Sequence, residues 1–165
     1  RRMIAHKVVD SQAAVQGTVA ETPGIVATDT VVVADVGVGQ KIVLGQPADA
    51  HQARHWLTEY LSGKAHDVWT CFLIGTAGDQ GPQQVHRETV RTTVRLEKLD
   101  REVIDWYIST GEYVGKAGGY AIQGLGAALV NEVRGSLTNV IGLPMREISR
   151  VLIDFGVPLR GGAIE

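Results

Sequence analysis

The segment that most limits how this chain can fold is the run Gly24–Val33, GIVATDTVVV. It is short, apolar and rich in β-branched residues, the pattern of a buried strand. Along such a strand Ile25, Ala27, Asp29, Val31 and Val33 share one face, so a single carboxylate is set among apolar neighbours. An unpaired charge there costs several kcal/mol. Two readings of Asp29 stand side by side. It is a strand-end carboxylate bonded to a nearby loop, or it is a metal ligand or general base at the edge of a cleft.

A buried strand needs layers to cover it. With 165 residues, 44% of them hydrophobic and 21% charged, the chain has the length and composition of one soluble domain. Alternating helix and strand patterns predict an α/β fold, or α+β with a mixed sheet. Ile4, Ala5, Val8 and Val15 at helical spacing predict an opening helix over residues 1–16, stopped by Gly17. A turn around 36–41 and LGQP lead to a helix over 49–61. Its cap is Asp49 with Gln52, and its inner stripe is Ala53, Trp56, Leu57, Tyr60 and Leu61. Strands follow near 67–76 and 83–97, joined by AGDQGP, the second alternating as VRTTVRL with one wet face. Asp100 caps a helix ending at Ile108, with Val103, Ile104, Tyr107 and Ile108 inward and Gly111 as its stop. A strand near 127–133 and a turn at 134–137 precede a last helix. That helix starts at Pro144, ends at Gly156, and buries Met145, Ile148, Val151, Leu152 and Phe155.

Other residues bound the chemistry. GKAGGYAIQGLG, residues 115–126, combines glycines that let a ligand approach the backbone with Lys116, a point charge suited to phosphate. By itself it also reads as a glycine-rich hairpin with an exposed lysine, and neither familiar nucleotide loop, G-x-x-x-x-G-K-[ST] or G-x-G-x-x-G, occurs. His51 and His55 have a zinc-chelating spacing, but the helical wheel turns them more than ~100° from the Trp56–Leu57–Tyr60 stripe, which predicts a solvated face. Cys71, in VWTCFLIG, reads as a small core residue. As the one cysteine it excludes an internal disulfide and suits a reducing cytosol. There is no G-x-S-x-G, no H-E-x-x-H and no Cys/His cluster. No apolar run approaches the ~18 residues of a membrane span, and RRMIAHKVVD lacks a signal-peptide core. The charge balance, 16 Lys+Arg against 18 Asp+Glu, net −2, does not suit duplex DNA. A first residue that is Arg1 rather than Met suggests a trimmed, processed or partial chain.

Four segments taken together carry a resemblance. They are TDTVVV, then LGQPADAHQARHWLTEYLSGKAHDVWT, then YISTGEYVGKAGGYAIQGLGAALV, and finally NVIGLPMREI. In order and spacing these resemble the Maf family, the septum-formation-inhibitor-like nucleoside triphosphate pyrophosphatases, over residues 7–155. Its patterns are approximately A-D-T-V-V, L-G-K-P, L-S-G-x-x-H-x-V-x-T, S-G-E-P-x-D-K-A-G-x-Y-x-I-Q-G and N-V-x-G-L-P. The resemblance implies a two-lobed α/β fold, related to the inosine triphosphate pyrophosphatases, with a long mixed sheet, flanking helices and a cleft between lobes. It also implies a cytoplasmic homodimer that does not bind nucleic acid or membrane stably. The implied activity is hydrolysis of non-canonical or pyrimidine nucleoside triphosphates, dTTP/UTP-like, to monophosphate and pyrophosphate with Mg²⁺ or Mn²⁺.

Residue by residue, Asp29 matches the family's catalytic aspartate and is implied as base or metal ligand. Lys7 in IAHKVV matches the lysine of a helix motif, although on that helix alone a structural role fits equally. Lys116 and Gln123 match the lysine and glutamine of the glycine-rich loop, and Thr30 and Gln46 complete the implied substrate contacts. A carboxylate facing lysines and glycine amides is what water attack on an already anionic phosphorus demands. Three departures accompany the match. The family's opening strand and S-x-R-R phosphate loop have no counterpart, so residues 1–165 are expected to be a single Maf-like domain without them. Gln46 stands where the family has a phosphate-contacting lysine, and Gly115 replaces an acidic residue. The alternative they leave is a catalytically impaired nucleotide-binding or regulatory protein linked to cell division.

Overall fold

In a computed structural model, which describes residues 14–19, 22–78 and 81–157, the β-branched run is the middle of a much longer strand. The strands are β1 (Ala14–Val19), β2 (Thr22–Gly37), β3 (Gln40–Leu44), β4 (Ala65–Gly78), β5 (Gly81–Leu96) and β6 (Val130–Arg134). They form one six-stranded sheet in the order β1-β2-β4-β5-β6, with β3 also paired to β2. The expected α/β class with helices flanking a sheet holds. The expected mixed sheet does not, because each pairing among the described strands is antiparallel. Short turns such as Val38–Gly39 return the chain directly alongside itself, and such returns give antiparallel neighbours.

Residues 14–16 also differ from the expected opening helix. They belong to β1 and pair with Ile25–Ala27 of β2, since Ala14, Val15 and Gln16 form a ladder against a strand that presents a free edge. Residues 1–13, including the rest of that helix and Lys7, lie outside the described residues, as do Asp79 and Gln80 of the AGDQGP turn.

The helices are α1 (Ala50–Trp56), which runs on as a π-helical turn (Leu57–Leu61), then α2 (Arg101–Ser109), α3 (Leu137–Ile141) and α4 (Met145–Asp154). The caps of α1 and α2 are those the sequence proposes. Asp49 accepts from the Gln52 N–H and Asp100 from the Val103 N–H, each at 2.8 Å, satisfying donors that a helix start leaves open. The five-residue α3 was not expected, being too short to show a period. Its first turn is held by Ser136, whose Oγ accepts from the Asn139 N–H at 3.2 Å. The strand expected near 127–133 begins only at Val130, because Gly124–Leu129 forms 3₁₀ turns. Met145, expected inward, is exposed while Ile148 and Val151 are buried. It is the first residue of its helix, a turn ahead of the stripe that meets the sheet.

The even-numbered face of the sheet carries two apolar clusters. One joins Val32, Ala34, Val68, Val94 and Leu96 to Ala53, Leu57 and Leu61 of α1 and its π-helical turn, and to Ile104, Tyr107 and Ile108 of α2. The other joins Phe72 and Ile74 to Ile148 and Val151 of α4, with Val26 and Val90 beside them. Between them the same face turns polar at Thr28, Thr30 and Thr70. The odd-numbered face carries Val31 and the wholly buried Cys71, packed with Ala27, Val33, Trp69 and Leu73.

Asn139 ties α3 to this arrangement. It is wholly buried, and its Nδ2 donates to the Val68 carbonyl at 3.2 Å and to Thr92 Oγ1 at 3.1 Å. Removing it takes a donor from the Val68 carbonyl and one of the two donors from Thr92 Oγ1, which also accepts from the Ser136 N–H at 3.1 Å. Asn139→Ala is therefore expected to cost about 2–3 kcal/mol, read as a lower urea midpoint with unchanged slope.

Candidate functional site

The site begins on β2. One edge of β2 pairs fully with β4 from Gly24 to Val33. On the opposite edge β1 pairs only as far as Ala27, and β3 begins only at Val32. Residues 28–31 thus have no strand partner on that side among the described residues. This short stretch, Thr28-Asp29-Thr30, lines a cavity of about 520 Å³, within the range of small-ligand sites.

Three further segments close the cavity. Gln46 enters from the loop after β3, residues 115–117 and 120–123 come from the glycine-rich segment, and Val140, Ile141 and Gly142 come from the end of α3. Val32 and Val68 lie on the even face of the sheet at its floor. Of the residues singled out in the sequence, Asp29, Thr30, Gln46, Lys116 and Gln123 all line this one space. Lys7 lies outside the described residues.

The glycine-rich segment is held in place by an unusual number of specific bonds. Gly118 donates its N–H to the Gly45 carbonyl at 2.9 Å. Its φ is +74°, and a Cβ there would lie 2.8 Å from Val32 Cγ2, so both backbone conformation and proximity require glycine. Ala121 donates its N–H to the Tyr107 hydroxyl at 2.9 Å. The Glu112 carboxylate accepts from the Leu125 and Gly126 N–H groups, each at 2.9 Å.

The fourth anchor is a buried pair. Tyr120 Oη and His66 Nε2 are 2.7 Å apart, and burial raises the Tyr120 pKa, so the phenol keeps its proton. Burial also lowers His66 to about 4, outweighing the opposing pulls of the Lys64 backbone and the Asp67 carboxylate. A neutral imidazole and a neutral phenol thus share one hydrogen bond, which fixes the loop to β4. Sequence reasoning missed this pair, although His66 and Thr70 were legible as polar residues on the otherwise apolar even face of VWTCFLIG and its approach.

Asp29 pairs with Cys71 and shares a face with Val31, yet it lines the cavity. Its Oδ2 is buried and has no hydrogen-bond partner among the described residues, which leaves the strand-end reading, a carboxylate satisfied by a loop, without its bond at that atom there. A hard divalent cation takes oxygen ligands and is commonly held by one or two carboxylates together with substrate phosphates. An orphaned carboxylate oxygen fits that need. No group of three His, Cys, Asp or Glu is assembled among the described residues, so the remaining ligands would be substrate and water. Lys116 is the single Lys or Arg among the described residues lining the cavity. Elsewhere, His51 and His55 are exposed on α1 as expected, and His55 packs edge-on against Tyr60.

The sequence model of the Maf-like protein family matches residues 2–155. This chain belongs to the Maf-like family. It is similar to proteins named dTTP/UTP pyrophosphatase. The one from Symbiobacterium thermophilum is 43% identical over 142 residues, covering 84% of this chain and 66% of that protein. The one from Anaeromyxobacter sp. is 42% identical, covering 82% and 63%. The one from Pyrococcus furiosus is 43% identical, covering 81% and 67%. The chain therefore spans about two thirds of the length of these curated relatives. No helix among the described residues is long and apolar enough to cross a membrane.

The depressed His66 pKa sets an acid limit on the fold. The unfolded imidazole takes a proton below about 6.5, whereas the folded one resists until about 4. Protons favour the unfolded state between those values, so stability is complete above about pH 6.5, declines as pH falls, and levels off below about 4. The loss attributable to this residue is about 3 kcal/mol. His66→Phe, compared with the parent by urea unfolding from pH 7 to pH 4, is expected to remove most of that slope.

Proposed function

We propose that this Maf-like chain is the core of a nucleoside triphosphate pyrophosphatase of dTTP/UTP type, releasing the monophosphate and pyrophosphate. The observation that carries the reading is the convergence of Asp29 on β2 with Lys116 and Gln123 of the distant glycine-rich segment on one cavity. The relatives' names supply the chemistry, and the cavity supplies matching groups. The reading takes the protein to act in the cytoplasm as a homodimer, on free nucleotides rather than on nucleic acid or membrane.

In this reading water attacks the α-phosphorus and pyrophosphate leaves. Asp29 accepts the water's proton, or would hold a divalent cation. Lys116 and the N–H groups of the glycine-rich loop neutralise phosphate oxygens, and Gln123 orients the substrate. A bound Mg²⁺ or Mn²⁺ supplies the positive charge that one lysine cannot, and the acceptor oxygen of Asp29 is where this chain would hold it. Tyr120 and His66 act through the loop, keeping Lys116 and Gln123 in position without taking part in proton transfer.

A second reading, nucleotide binding with impaired turnover, is favoured by Gln46, which lines the cavity without charge where the family pattern has lysine. One assay separates the two. Pyrophosphate release is measured across a panel of nucleotides with Mg²⁺ or Mn²⁺. Hydrolysis is expected for dTTP and UTP, with Asp29→Asn lowering kcat at least ~100-fold and Lys116→Ala acting mainly on KM. Undiminished turnover in Asp29→Asn sinks the assignment of that residue. Tight nucleotide binding without release establishes the second reading.

A further inference from the structure

Thr70 is wholly buried in β4, and its hydroxyl oxygen has two neighbours. It donates to the main-chain carbonyl of Asn139 at 3.0 Å, and it lies 2.9 Å from Thr30 Oγ1. A carbonyl can only accept, and a threonine has one hydroxyl proton. Thr70 therefore spends its proton on Asn139, and the proton between the two threonines belongs to Thr30. The direction is held firmly, because Asn139 is itself fixed by its bonds to Val68, Thr92 and Ser136.

Thr30 thus commits its only donor to the protein interior. Its Oγ1 stands beside Gly142, where an added Cβ would lie 3.4 Å away, and both residues line the cavity. What this oxygen offers a ligand is lone pairs alone. A phosphate oxygen, itself an acceptor, would meet it without a shared proton. A ligand N–H or O–H would complete it. The neighbouring lining is apolar, formed by Val68, Val140 and Ile141, whereas Lys116 and Gly115 belong to the glycine-rich segment.

We infer that Thr30 is a specificity residue that accepts a hydrogen bond from the nucleoside end of the substrate, with the phosphates directed to the Lys116 side. This rests on the nucleotide reading above. The shared chemistry is a hydrogen donor, which a base imide N–H and a sugar hydroxyl both supply.

Thr30→Val removes the acceptor with little change in shape, and Thr30→Ser keeps it. Binding of dTMP, UMP and inorganic tripolyphosphate to the full chain is measured by calorimetry. Thr30→Val is expected to weaken dTMP and UMP about tenfold and to leave tripolyphosphate unchanged, with Thr30→Ser restoring the parent affinities. If the donor is the base, N3-methyl-UMP binds the parent protein as weakly as UMP binds Thr30→Val. If it is the sugar, N3-methylation has no effect and 3′-deoxy-TMP shows the loss. Equal loss for tripolyphosphate, an unchanged dTMP affinity, or a loss confined to Mn²⁺ binding overturns the inference while leaving the nucleotide reading intact. Failure of the parent protein to bind any of the nucleotides overturns both.

Discussion

The antiparallel register between β2 and β4, running unbroken from Gly24↔Thr76 to Val33↔Asp67, is the constraint on which the rest of the structure depends. It sets Thr30 opposite Thr70 and so places a polar patch across a face that is apolar on either side. Helices α1 and α2 cover one apolar stretch and α4 covers the other. Because α3 and the glycine-rich segment meet over the patch between them, the cavity forms where packing is interrupted. A slip of one residue would exchange the two faces of β2, burying Asp29 and Val31 where Thr30 and Val32 now lie. It would leave neither a coherent core nor a polar floor.

The electrostatics follow from that geometry. The interior beneath the cavity is wired with neutral groups. His66 and Tyr120 are held uncharged by burial, and Thr30, Thr70 and Asn139 form a directed chain of hydrogen bonds. Among the residues lining the cavity, the charged ones are Asp29 and Lys116. Neutral bonds fix positions without the desolvation cost of buried ions, so the scaffold stays rigid while the two charged groups remain available to a ligand. Glycine at 118 serves the same end, since only a residue without Cβ lets the loop lie directly on Val32.

Much of this was legible in the residues. The β-branched run, the Asp49 and Asp100 caps and the apolar stripes of α1 and α2 announce themselves through local periodicity and side-chain-to-backbone bonding. Such signals persist in the structure because they act within a few residues of each other. Asp29 was identifiable as an anomaly for the same reason, being a charge in an apolar strand. Lys116 stood out as a point charge in a glycine-rich run, and the family patterns added Gln123. The opening residues show the opposite case. Ala14–Gln16 carry an acceptable helical spacing, but the edge of β2 offered a ladder, and tertiary pairing overrode a weak local preference.

The sequence by itself determined the alternation of elements, the lone strand carboxylate and the kinship with Maf-like proteins, because each depends on residue type at short, fixed separations. Tertiary structure alone decided that every described strand pairing is antiparallel and that Thr28–Thr30 of β2 line a cavity with the glycine-rich segment. It also decided that His66 clasps Tyr120 and that the Thr30 proton turns inward. These depend on which groups meet across tens of residues, and a hydroxyl's polarity is set by the acceptor it meets in space, not by its neighbours along the chain.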